Sequence, residues 1–228
     1  MAEALAGVLD SEFAIRLRSW NTLNVPNDFL DSMPDDDPRY ELIVIPHAFE
    51  TELDILVVTN HRLTLEGIER AELEAIAEIS ETLENDPEEA ESTAGWISGY
   101  FYNGLRTAAN RLALVGLVTL FQSWIERLAR SRKIAVKASS RDEPRLLACI
   151  QGLNDHIQKA PPAPAEYFRD LADARDSVIH GDSKAQWGKR TVAARYQGDS
   201  ELNFTADDLR EAVTKAIAQV KWYEAELL

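Results

Sequence analysis

Residues 92–133 read STAGWISGYFYNGLRTAANRLALVGLVTLFQSWIERLARSRK, and how this stretch is read decides the fold. Ile97, Phe101, Leu105, Ala108, Leu112 and Val115 recur at intervals of three and four, and Phe121, Ile125 and Leu128 extend the series. That period is helical, and an apolar stripe on one side of a helix is expected to face a core. Ser92 or Thr93 can cap the start. A helix from there to about Lys133 would be roughly 60 Å long at 1.5 Å per residue. A break can fall near Gly116. A helix of that length needs other helices to cover it, so the stretch sets an all-α bundle.

Working outward toward the C-terminus, residues 144–158 repeat the period with Leu146, Leu147, Ile150, Leu153 and Ile157. Pro161, Pro162 and Pro164 stop that helix. A further helix spans 165–180, with Tyr167, Phe168, Leu171, Ala174 and Val178 inward and Gly181 as its stop. Residues 182–203 are polar, with a short hairpin expected around 191–196. Thr205 and Asp208 form a capping box ahead of a last helix carrying Leu209, Val213, Ile217, Val220 and Tyr223. Toward the N-terminus, 4–20 reads as a helix and 24–38 as an acidic turn-rich stretch. Residues 40–45 (YELIVI) fit a short strand or the lead-in to a helix. In 47–63, Phe49, Leu53, Leu56 and Val57 fit a helical period while ILVV favours strand, with helix preferred; 65–84 reads as a helix with Ile68, Leu73, Ile76, Ile79 and Leu83 on one side until Asn85-Asp86-Pro87 ends it.

Charge divides the chain at residue 91. The 228 residues carry 24 Lys+Arg and 39 Asp+Glu, a net −15, of which residues 1–91 hold −18 and residues 92–228 hold +3. The reading is therefore an acidic, mostly helical N-terminal region at 1–91 and a helical bundle at 92–228. Overall acidity excludes a protein that coats nucleic acid along its whole surface. A hydrophobic content of 45% excludes wholesale disorder. One cysteine, Cys149, excludes an internal disulfide framework. The longest apolar-rich run, 112–121, is half of the roughly 20 residues a bilayer span needs, and the N-terminus lacks the pattern of a signal peptide. A cytoplasmic protein that does not engage membranes is expected.

The segment with chemistry in it is 170–182, DLADARDSVIHGD. It places Arg175, Asp176 and His180 on one late helix, followed by Gly181. Histidine titrates near neutrality and serves as acid or base. Arginine holds two phosphate oxygens in a planar fork. Asp176 lies four residues before His180, the spacing at which it can orient the imidazole. Ser177 is expected to face solvent and contact phosphate.

In this Arg-x4-His segment, its helix order and its place before a final capped helix, the chain resembles the HEPN superfamily over roughly residues 93–228. Glu126, late in the long helix, matches the position of an acidic residue in many such domains. The resemblance implies an HEPN-like up-and-down helical bundle and a metal-independent endoribonuclease of the toxin or phage-defence type. Cleavage there runs by attack of the 2′-OH on the adjacent phosphate. Arg175 would stabilise the transition state, His180 would act as acid or base, and Asp176 would orient. It also implies RNA as substrate, a homodimer that gathers two Arg/His sets around one cleft, and an antitoxin or defence protein as partner. No cofactor is implied. Some toxin members carry a Tyr two residues after the His as the target of a modifying antitoxin; Asp182 stands there instead, which sets this chain apart from that regulation.

Other residues complete the picture. Arg127, Arg130, Arg132, Lys133, Lys137, Arg141 and Arg145 form a basic run. With Lys184, Lys189, Arg190 and Arg195 it can frame a phosphate-binding groove, or it can be a solvated helix end. Trp187 and Tyr196 can stack on bases or pack a hairpin. His47, His61 and His156 lack partners at metal spacing, so no metal site is expected. Cys149 lies on an apolar helical face and reads as a buried structural thiol. The acidic 66–91 stretch reads as solvated surface, or as a nucleic-acid mimic over the basic face. The alternative to catalysis is a non-catalytic dimerisation or partner-binding bundle; an acidic inhibitor is a third.

Overall fold

The computed structural model describes residues 49–136, 144–181, 183–187, 190–199 and 201–227. The readings at 4–20, 24–38 and 40–45, and residues Lys137, Arg141, Asp182 and Lys189, lie outside that range.

The chain is an all-α helical bundle. A helix already formed at 49–53 is wound as a π-helix over Asp54–Thr59 and runs on as α1, Asn60–Thr82. After a short turn come α2, Pro87–Trp96, a second π-wound stretch, Ile97–Tyr102, and α3, Asn103–Ser131, without a break. Then follow α4, Arg145–Ile157, α5, Ala165–His180, and α6, Ala206–Leu227. Between α5 and α6 lies a minimal hairpin, β1 Gln186–Trp187 against β2 Arg190–Thr191, and a 3-10 turn at Ala194–Tyr196. The hairpin thus sits upstream of the 191–196 expected for it.

The cap of the long helix also differs from expectation. Asp86, not Ser92 or Thr93, accepts from the backbone N–H of Glu89, with Pro87 in the first turn. The helix runs on through Gly116, where a Cβ would stand 3.4 Å from Val57 Cγ2. The capping box before α6 forms as read: Thr205 N–H donates to Asp208 Oδ2 at 2.8 Å, and Asp208 N–H donates back to Thr205 Oγ1 at 3.2 Å.

The core crosses the charge boundary at residue 91. Phe49, Leu53 and Val57 are buried together with Leu117, Phe121, Trp124 and Ile125 of α3, Ile150 and Leu153 of α4, Phe168 and Leu171 of α5, and Val220 and Tyr223 of α6. The Phe49 ring packs 5.9 Å from Phe121 and 5.7 Å from Trp124, centroid to centroid. The Tyr223 hydroxyl donates to Asn154 Oδ1 at 2.9 Å and ties α6 to α4.

Residues 58–112 add nothing to this core. They form a two-helix arm packed mainly on itself. The Tyr102 hydroxyl donates to the Ala71 carbonyl at 2.9 Å, His61 and Asn110 share a 2.7 Å hydrogen bond, and Arg106 pairs with Glu72. Hydrogen bonds from Arg106 and then Ser98 hold the Glu72 carboxyl below its usual range. The stripe expected to face inward faces out here. Phe101, Leu105, Ala108 and Leu112 are exposed, and the buried face of α3 is Ala109, Ala113, Leu114, Leu117, Val118 and Phe121 instead. Leu73 of α1 is exposed as well. By length and composition the continuous run Pro87–Ser131 is apolar enough to cross a bilayer, with half of its most apolar window buried inside the fold.

Where α6 meets the first helix, Lys221 pairs with Glu50 at 3.0 Å, and Glu224 sits half-buried beside them. Burial, then the Glu50 charge, push the Glu224 carboxyl up to about 7, against the pull of Lys221. A carboxyl raised above its unfolded value stabilises the fold most at low pH, and that contribution is lost as pH rises through about 7. Glu224→Gln is therefore expected to raise the melting temperature at pH 8, and by less at pH 5. Allowing for solvent screening, the gain is on the order of 1 kcal/mol, a few degrees for a chain of this size. Thermal melts at the two pH values check it; an equal shift at both would remove Glu224 as the cause.

Candidate active site

Helix α5 carries the motif. Its buried face, Tyr167, Phe168, Leu171, Ala174 and Ser177, repeats at one, three and four residues. That fixes the rotation of the helix and leaves Arg175, Asp176 and His180 off the core side. Arg175 is only 15% exposed. Its Nε lies 2.7 Å from Asp176 Oδ1, and its Nη2 donates to Gln122 Oε1 of α3 at 3.3 Å. Gln122 in turn donates through Nε2 to Glu126 Oε1 at 3.1 Å, and Glu126 pairs with Arg145 at the start of α4 at 3.5 Å. Asp176, Arg175, Gln122, Glu126 and Arg145 thus form one polar chain across three helices. It holds the guanidinium against Asp176 as an ion pair and to Gln122 by one hydrogen bond, while the buried Nε–H makes no hydrogen bond.

Gln122 is the residue that sequence reasoning missed. Its signal was there: it stands one turn before Glu126 on the same side of α3.

His180 ends α5 and is exposed. The Gly181 N–H closes the helix on the Ser177 carbonyl at 2.9 Å. Ser177 corrects an expectation: it is fully buried, and its Oγ donates to the Lys184 carbonyl at 2.6 Å. The Ser183 N–H also bonds the Ser177 carbonyl, with Ser183 in the left-handed region at φ 60°. Ser177 therefore anchors the turn after His180 and does not meet solvent phosphate. The Asp176 carboxylate engages Arg175.

The other expected contacts are dispersed. Lys184 is exposed and its backbone bridges to Glu201. Arg190 lies in β2 opposite Trp187. Arg195 pairs with Asp170 at 3.0 Å and lies 4.4 Å over the Tyr167 ring and 4.7 Å over Tyr196, so it packs the surface of α5 rather than lining a groove. Tyr196 is buried against Phe204, the packing role rather than base stacking. Burial raises the Tyr196 hydroxyl far above its usual range and the Tyr167 hydroxyl to about 12, so both stay protonated. Cys149 is fully buried, and burial pushes its thiol up, which suppresses the thiolate needed for nucleophilic chemistry. Among the described residues no group of three or more His, Cys, Asp or Glu gathers to hold a metal ion.

No family model, no curated protein and no solved structure matches the chain.

Proposed function

We propose that the chain is a metal-independent endoribonuclease of the HEPN type, acting in a toxin or defence setting through Arg175 and His180. The observation that supports it is the clamping of Arg175 by Gln122 and Asp176 within five residues of an exposed His180. A guanidinium held from both sides is preorganised to meet the charge that grows on a phosphorane, without reorganising at the moment of reaction.

The chemistry balances on the chain's own groups. The ribose 2′-oxygen bonds to phosphorus as its proton passes to an imidazole base, and the P–O5′ bond breaks. A protonated imidazole supplies the proton the leaving oxygen takes. The products are a 2′,3′-cyclic phosphate and a free 5′-OH. Base and acid are the two states of one residue type, His180, drawn from two copies paired around one cleft. Asp176 and Gln122 hold Arg175 and are positioning residues.

The test is an RNA cleavage assay with and without EDTA, using wild type, Arg175→Ala and His180→Ala. Wild type is expected to leave cyclic phosphate ends in EDTA. His180→Ala should lose about 10²–10⁴-fold, the usual worth of general acid–base catalysis, and Arg175→Ala about 10²–10³-fold. No cleavage by wild type, or full cleavage by both variants, overturns the reading. A second reading, a bundle that only binds a partner, is favoured by one observation: the uncovered apolar side of the arm.

A further inference from the structure

A cavity opens where α3 ends. The helix closes on a left-handed residue, Lys133 at φ 54°, with the Lys133 N–H on the Arg130 carbonyl at 3.0 Å and the Ile134 N–H on the Ala129 carbonyl at 2.9 Å. That pair of bonds turns the chain back along the helix it has just left. Residues 134–136 then pass over α4 at Gly152, where a Cβ would stand only 3.1 Å from the Ala135 carbonyl oxygen. The result is a cavity of about 240 Å³, with Ala129, Ile134 and Val136 among its walls and Glu126, Arg130 and Arg145 as its charged groups. It is smaller than the roughly 300–1,000 Å³ of a site for a whole small molecule, and it suits a single ring system. Glu126 stands one helical turn, about 6 Å, from Gln122, the residue that bonds Arg175. A carboxylate offers about four acceptor sites. Gln122 Nε2 takes one at 3.1 Å and Arg145 Nε stands 3.5 Å away, both at Oε1, so Oε2 is left to a donor from outside the fold.

We infer that this cavity reads one base of the RNA beside the scissile phosphate, and that the base is guanine. The inference rests on the nuclease reading, which supplies the strand, and adds to it a specificity site. Single-stranded RNA is read by splaying a base away from its neighbours and bonding its Watson–Crick edge. A carboxylate accepts hydrogen bonds and donates none, so Glu126 selects an edge made of donors. Guanine sets N1–H and its N2 amino group side by side, which matches the paired oxygens of one carboxylate. Adenine and cytosine set one amino group beside a ring nitrogen that accepts, and uracil sets its N3–H between two carbonyls. Each of those three turns a lone pair toward the carboxylate, which repels it. The apolar walls keep water from competing for the same bonds. The phosphate of that nucleotide has its own partners. Arg130 is exposed beside the cavity. Arg145 opens α4, whose start carries no side-chain cap among the described residues, so the positive end of that helix adds to the same place. Two guanidinium groups against one carboxylate leave the cavity net positive, the sign that a phosphodiester requires.

Binding and cleavage are read separately. Hexanucleotides methylated at every 2′-oxygen cannot be cut by 2′-OH attack, so the full chain binds them without turnover. By fluorescence anisotropy, a strand with one guanine among uracils should bind at least about tenfold more tightly than the all-uracil strand, the worth of a hydrogen bond to a charged group. Adenine, or hypoxanthine, which lacks the N2 amino group, should lose most of that gain in the same position. Glu126→Gln should abolish the preference while the all-uracil strand binds as before, with melting temperature as the folding control. Arg130→Ala should weaken every strand alike and lower the salt dependence of binding. On cleavable RNA the cuts should fall beside guanine. Equal binding of the guanine and uracil strands, or binding of neither, overturns the inference, as does a preference that survives Glu126→Gln. Cleavage without base preference also overturns it and leaves the nuclease standing. Guanine-specific binding without any cleavage supports the pocket and removes the nuclease.

Discussion

Trp124→Ala is expected to cost about 3–5 kcal/mol, the largest stability loss of any single truncation in the bundle. Trp124 is fully buried at the point where the first helix, α3 and α6 meet, with Phe49 at 5.7 Å and Tyr223 at 6.5 Å. Removing the indole empties a volume that three helices line, and none can close it without moving the others. At about 2–4 °C per kcal/mol for a chain of this size, the melting temperature should fall by roughly 6–20 °C. Trp96→Ala is the control. It removes an indole of the same size from an exposed site, so it should shift thermal stability by less than about 0.5 kcal/mol at concentrations where the chain is monomeric. If the variant does not accumulate, Phe49→Leu reads the same contact more gently. Equal effects from Trp124 and Trp96 would mean that the helix at 49–53 does not cover α3.

The second large effect follows from the proposed nuclease reading. Arg175→Lys keeps the charge, yet it is expected to lose RNA cleavage about as fully as Arg175→Ala, by roughly 10²–10³-fold. The planar guanidinium lies against Asp176 as an ion pair and bonds Gln122 through Nη2, which leaves Nη donors for phosphate. A lysine ammonium is a point charge on a flexible stem and cannot hold those three directions at once. Gln122→Ala should lose less, because Asp176 still holds one edge. Initial rates on a single RNA oligonucleotide, with melting temperature as the folding control, separate these outcomes. A lysine variant at full rate would show that charge alone suffices and that the clamp is structural.

Much of this molecule can be read from its residues, and the failures have physical causes. The C-terminal helices are legible because each carries a single apolar face and a local stop. Leu146 to Leu153, Gly181, and the reciprocal bonds of Thr205 and Asp208 all behave as their types dictate. The long helix misleads because its first half has two apolar faces. Ala109 and Ala113 are small and look neutral, while Phe101, Leu105 and Leu112 are large and look like core. Periodicity finds a face but does not say what covers it. Ser177 misleads for a similar reason: a serine reads as surface until the chain beyond it turns back and offers a carbonyl. The helix that carries Arg175 and His180 was legible. Its clamp was not, because Gln122 and Arg175 meet only once two helices are packed.

The span of the core has a consequence for how the chain is made. Phe49 packs beneath Phe121, and Glu50 pairs with Lys221, about 170 residues later in the sequence. At 5–20 residues per second a ribosome needs roughly 10–35 s to synthesise that interval. Through that time the first helix waits with its aromatic side uncovered, and the arm emerges with its own apolar side already outward. The nascent chain is thus most adhesive before its last helix arrives. Its folding yield, more than its final stability, should respond to chaperone supply and to the speed of translation.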